Sequence, residues 1–111
     1  MQIIFESRDA EGSQMRDLSV ERVRFALSRL RAQVPRAKVQ FSDVNGPRGG
    51  VDKRCQVELK TESVGTVVIA SLASDWRTAL DRSLTRATRV LTRSLQRSQK
   101  PARGSTFTSV V

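Results

Sequence analysis

The sequence predicts an α+β domain, a four-stranded sheet with two helices packed on one face, in the order β-α-β-β-β-α. Three observations carry this prediction. Residues 54–60 alternate apolar and polar side chains, and a β-branched run at 66–72 follows after a short polar reversal. Residues 75–97 repeat apolar side chains at three-to-four spacing, the period of a helix buried along one stripe. The chain has 111 residues and is 38% hydrophobic, which suits one compact domain with a modest core.

Along the chain, Ile3 and Phe5 alternate within residues 2–7 and mark a short first strand. Residues 8–12 are polar, contain glycine, and read as a loop. Ser13 can cap a helix that runs to about Arg31, with Met15, Leu18, Val23, Ala26, Leu27 and Leu30 at helical spacing and Pro35 just beyond. Residues 38–44 form the second strand, with Val39 and Phe41 on one face. Asn45-Gly46-Pro47-Arg48-Gly49-Gly50 is dense turn chemistry. The third strand, 54–60, turns Cys55, Val57 and Leu59 inward and Gln56, Glu58 and Lys60 outward. Residues 61–65 reverse the chain, and the fourth strand at 66–72 centres on Val67, Val68 and Ile69. Ser74 or Asp75 then caps a helix reaching about Arg97, roughly 35 Å long at about 1.5 Å per residue. Its buried stripe is Trp76, Leu80, Leu84, Ala87, Leu91 and Leu95. The expected organisation is one domain over 1–97 and a flexible tail over 98–111, where no periodicity remains.

Composition excludes several function classes. There is no histidine and one cysteine, Cys55, so the usual metal ligands and general bases are missing and no internal disulfide can form. No enzyme activity, cofactor, metal or small-molecule substrate is expected. No run of 18 apolar residues occurs, so no membrane span is expected. The segment Met1-Gln2-Ile3-Ile4-Phe5-Glu6 lacks the basic and apolar regions of a secretory leader, and a cytoplasmic location is expected.

Charge is what remains distinctive. Twenty Lys+Arg against 11 Asp+Glu give a formal net charge of +9. Residues 75–111 hold 8 basic and 2 acidic side chains, so two-thirds of the excess lies in the last third of the chain. Sixteen of the cations are arginine, whose planar fork pairs with phosphate and stacks on bases. In the last helix Arg82, Arg86, Arg89, Arg93 and Arg97 fall within a sector of roughly 80° opposite the apolar stripe, at about 100° per residue. No carboxylate follows Asp81, so this row has few acidic neighbours, and like charges at i,i+4 are mutually unfavourable. A polyanion laid along the row would offset that repulsion. A solvated basic face and an anionic membrane surface are the competing readings, the second disfavoured because the opposite face covers the core. Phosphate contacts of this kind position a protein without reading sequence.

Weaker signals surround this one. Gly46, Gly49 and Gly50 flank Arg48, but a phosphate-cradling loop opens a helix and here a strand follows, so a hairpin connection is the simpler reading. Arg48, Lys53 and Arg54 remain secondary candidates for RNA contact. Cys55 reads as a small buried hydrophobe, and Trp76 as core rather than a base-stacking platform.

The stretch from Ser42 through Asn45-Gly46-Pro47-Arg48-Gly49-Gly50 to Cys55 resembles a segment of the ribosome hibernation promoting factors, the ribosome-associated inhibitor and sigma-54 modulation family. Asp75-Trp76-Arg77-Thr78-Ala79-Leu80-Asp81 is similar to that family's Asp-apolar-Tyr-x-Ala-Ile-Asp opening of the last helix, with Arg77 in place of the tyrosine. Arg86, Arg89 and Arg93, and Arg22 on the first helix, fall where the family carries basic residues. The resemblance implies the same β-α-β-β-β-α fold. It also implies binding of the small ribosomal subunit (30S, 16S rRNA) and of the 70S ribosome in the mRNA–tRNA channel, which keeps idle ribosomes inactive by occlusion. Arg22, Arg86, Arg89 and Arg93 become rRNA-contact candidates through the family pattern; Arg82 and Arg97 join them through the arginine row alone. The family's long form carries a dimerising second domain, and the short form is expected here from 111 residues. Two alternatives stay open: a transcription regulator acting through protein contact, as sigma-factor modulation implies, and a generic binder of structured RNA.

Overall fold

The computed structural model describes residues 1–44 and 53–99. Its elements are β1 (Gln2–Ser7), α1 (Ala10–Ser13), α2 (Arg16–Ala26), a 3₁₀ turn (Arg31–Gln33), β2 (Arg36–Asp43), β3 (Lys53–Lys60), β4 (Thr66–Ala73) and α3 (Trp76–Gln99). The four strands form one sheet in the order β1-β2-β3-β4. β1 runs parallel to β2, from Gln2↔Arg36 to Ser7↔Phe41, and the other two pairings are antiparallel. A parallel pair needs a crossover, and α1 and α2 supply it between β1 and β2. The α+β architecture read from the sequence is the architecture observed.

Strand alternation decides which face is dry. Ala37, Val39 and Phe41 of β2, with Cys55, Val57 and Leu59 of β3, are fully buried beneath the helices. Their neighbours Lys38, Gln40, Arg54, Gln56 and Glu58 lie on the helix-free face. From above, Val23 and Leu27 of the α2 region and Trp76, Leu80, Leu84, Ala87, Leu91 and Leu95 of α3 close the core. Every member of the expected α3 stripe is buried.

An aromatic stack anchors the start of α3. Trp76 lies on Phe41 with ring centroids 4.8 Å apart, and Phe5 meets Phe41 edge-on at 5.2 Å. The Trp76 indole donates to Glu11 Oε1 of α1 at 3.1 Å. Gly12 lies beneath this stack, where a Cβ would come within 2.7 Å of Ser7 Oγ and 3.3 Å of Trp76 Cε2. At the β3–β4 reversal Gly65 adopts φ +80, the left-handed conformation that favours glycine. The Thr61 hydroxyl donates to the Gly65 carbonyl and accepts from Val64 N–H at 3.1 Å, closing the turn.

The first crossover departs from expectation. Residues 8–12 were expected as a loop, but Asp9 accepts from Gly12 N–H at 3.0 Å and caps the short helix α1. Ser13 ends α1 instead of capping α2; its hydroxyl donates back to Ala10 O at 2.7 Å. α2 stops at Ala26, five residues before Arg31, and the chain continues through tight turns such as Leu30 N–H to Leu27 O at 2.9 Å. Those i→i−3 turns still bring Leu27 and Leu30 onto the core, so the apolar spacing survives the end of the helix. β2 begins at Arg36 because its pairing with β1 starts there. The last helix extends to Gln99, two residues beyond the expected end. The turn expected at 45–50 and residues 100–111 of the expected tail lie outside the described residues.

Candidate nucleic-acid interface

The candidate interface is built on α3. Asp75 starts the helix: Thr78 N–H donates to its Oδ1 at 2.8 Å and the Thr78 hydroxyl to its Oδ2 at 3.1 Å. These hydrogen bonds favour the charged carboxylate and hold its pKa below the ordinary 3.8. The 24 residues of α3 span about 36 Å at about 1.5 Å each. The buried stripe from Trp76 to Leu95 sets the rotation of the helix on the sheet, and Ser83, fully buried, adds to it by donating its hydroxyl to Cys55 O at 2.7 Å. With that rotation set, Arg82, Arg86, Arg89, Arg93 and Arg97 all emerge exposed on the side away from the core.

Within the row the arginines differ in what holds them. Arg82 donates to Leu72 O at 3.1 Å, and Arg86 to Ala70 O at 3.4 Å and Ser71 Oγ at 3.3 Å. Both lean over β4, an edge strand, and their guanidinium groups occupy carbonyls that would otherwise be open to another strand. Arg89, Arg93 and Arg97 make no ion pair with any described residue. No carboxylate lies on α3 beyond Asp81. Among the described residues, no ion pair therefore offsets the positive charge of this face at Arg89, Arg93 and Arg97.

The other sequence-derived candidates occupy different surroundings. Arg54 lies on the helix-free face, donates to Gln56 Oε1 at 3.0 Å, and joins Arg82 and Arg86 around a groove of about 660 Å³ that wraps the β4 edge. Arg22, half-buried on α2, pairs with Asp81 of α3 at 3.4 Å, so it borders the arginine face with its charge already matched. Lys53 points inward at the end of β3. Its Nζ lies 2.8 Å from Asp43 Oδ2 and 5.5 Å from the Trp76 ring centroid, with both ion-pair side chains mostly buried at 16% and 13% exposure. Arg48 lies outside the described residues.

The site offers no nucleophilic chemistry at its one thiol. Burial pushes Cys55 up to about 12, against smaller opposing effects from Ser83 and Arg54, so the thiol stays protonated near neutrality. Among the described residues no group of His, Cys, Asp and Glu could hold a metal ion. What the arrangement can do is bind an extended polyanion across a rigid face.

One neighbour of the face escaped the sequence reading. Phe25 of α2 is 83% exposed beside Arg22. Its signal was available: at about 100° per residue, Phe25 falls roughly opposite Val23 and Leu27, an aromatic on the polar side of its helix.

No protein-family model and no curated protein matches the chain. Among solved structures it is similar to the N-terminal domain of Protein Y from Thermus thermophilus, with a TM-score of 0.61 and 24% identity over 84% of this chain and 98% of that one. That likeness shows a shared fold.

Proposed function

We propose that this protein is a ribosome-associated translation inhibitor that binds rRNA of the small subunit in the mRNA–tRNA channel and holds idle ribosomes inactive by occlusion. The observation that carries the proposal is the face of α3, where five arginines stand exposed on one side of a helix whose opposite stripe is buried on the sheet. Arginine forks match phosphate geometry, and the helix fixes the spacing of their backbone attachment points before binding. The resemblance of the segments at 42–55 and 75–81 to hibernation factors directs the RNA reading toward the ribosome, and the fold shared with the Protein Y domain agrees with it. The protein works by binding alone, in the cytoplasm, with 30S and 70S particles as partners.

A generic binder of structured RNA is the second reading, because phosphate contacts carry no sequence code. Affinity for purified 30S subunits and for a short RNA duplex, measured at matched salt, separates the two. The ribosome reading expects at least about tenfold tighter binding to the subunit, or about 1.4 kcal/mol. Equal affinities would favour the generic reading. Binding that does not weaken with salt would refute both.

A further inference from the structure

The groove between α2 and α3 holds one large apolar side chain that the core does not claim. Phe5, Phe41 and Trp76 pack on one another, whereas Phe25 stands 83% exposed. A lone surface hydrophobe is ordinary. The surroundings of this one are not. With Arg22, Thr85 and Thr88 it lines a groove of about 410 Å³. Thr85 and Thr88 also line the next groove along α3, about 440 Å³, together with Thr92, Arg89 and Arg93. An aromatic ring thus stands at one end of a hydroxyl-lined track that leads to two guanidinium groups with no ion pair among the described residues. Among the described residues the one carboxylate lining either groove is Asp81, which Arg22 already pairs.

We propose that Phe25 is a stacking platform for an unpaired base of the bound RNA, whose backbone crosses Thr85 and Thr88 to reach Arg89 and Arg93. The inference rests on the RNA-binding reading of the arginine face and names its substrate class: RNA that presents an extruded or single-stranded nucleotide beside the phosphates. Every base has a π-face that an exposed ring can cover, whereas bases inside a perfect duplex are already stacked. The Thr85 hydroxyl can donate to a phosphate oxygen, and that of Thr88, which donates to Leu84 O at 2.9 Å, keeps its lone pairs for the ribose 2′-OH.

The test uses the full chain and three probes at matched salt: 30S subunits, a perfect RNA duplex, and the same duplex carrying one bulged 2-aminopurine. The wild type is expected to bind the bulged RNA more tightly than the perfect duplex and to quench the 2-aminopurine. Phe25→Ala is expected to lose about 5- to 150-fold on the bulged RNA, the usual range for a stacking aromatic. It should lose little on the perfect duplex, leave the salt slope unchanged, and abolish the quenching. Phe25→Tyr is expected to retain both affinity and quenching. Equal affinity of Phe25→Ala and wild type for the bulged RNA, or equal losses on both RNAs, would overturn the stacking role. A wild type that binds 30S without preferring the bulge overturns stacking and leaves the ribosome reading standing. A wild type that binds none of the three overturns both.

Discussion

Replacing Arg89 and Arg93 together by glutamine should flatten the salt dependence of RNA binding by a calculable amount. The two side chains are exposed and make no ion pair with any described residue, so their removal takes away charge and leaves packing intact. Each phosphate neutralised contributes a log–log slope of about −0.7 on single strands and about −0.9 on duplex. Five arginines at phosphates give a slope of about −3.5 to −4.5, so raising salt fourfold weakens binding roughly 100- to 500-fold. Losing two contacts should flatten the slope by about 1.4 to 1.8. Fluorescence anisotropy with a labelled rRNA fragment at several salt concentrations reads both slopes, and thermal melting confirms that the fold is unchanged. Lys53→Gln is the internal control: Nζ of Lys53 already faces Asp43 at 2.8 Å, so its loss should move the slope far less. A double variant with the wild-type slope would show that the phosphates lie elsewhere and refute the assignment of this face.

Other perturbations test the scaffold that presents the face. Gly12→Ala should destabilise the protein by about 1–3 kcal/mol, because the new Cβ meets Ser7 Oγ at 2.7 Å and the Phe41 and Trp76 rings just beyond 3 Å; denaturant unfolding reads this directly. Asp75→Ala should cost about 1 kcal/mol through loss of the α3 cap. Because Thr78 holds the Asp75 carboxyl below 3.8, the stability it contributes is present above that pH and lost as pH falls through the lowered value; the alanine variant should lack that acid-side decline in melting temperature. Cys55, raised to about 12 by burial, should resist a thiol reagent at mildly alkaline pH in the native protein and react fully once unfolded. The same shift makes the native state lose stability as pH rises from the ordinary thiol value of 9.0 toward 12.

Most of the fold was legible because its longest elements each show one unbroken period. Cys55, Val57 and Leu59 alternate without exception, and Trp76 through Leu95 keep one stripe over five turns, so strand and helix could be read from residue type alone. The crossover was less legible because its structure depends on distant contacts. Gly12 reads as a helix breaker, yet it sits in the short helix that Asp9 caps, at a point where Phe41 and Trp76 leave no room for a Cβ. Leu27 and Leu30 keep a three-residue spacing that a helix and a series of tight turns satisfy equally well. On the candidate site, the arginine row followed from helical arithmetic. The pairing of Arg22 with Asp81, 59 residues away, did not, and neither did the closure of Lys53 onto Asp43 beneath Trp76. Local pattern shows which face of an element is charged; only tertiary packing decides which of those charges are already matched.

Sedimentation through a sucrose gradient with ribosomes, comparing wild type with Arg86→Glu/Arg89→Glu, tests the central claim most directly. The wild type is expected to co-migrate with 30S and 70S particles at low salt and to be released at high salt. The double variant, with its melting temperature preserved, is expected to stay at the top of the gradient at both. A folded double variant that still travels with 30S subunits, or a wild type that never leaves the top, would contradict the assignment of α3 as a ribosome-binding face.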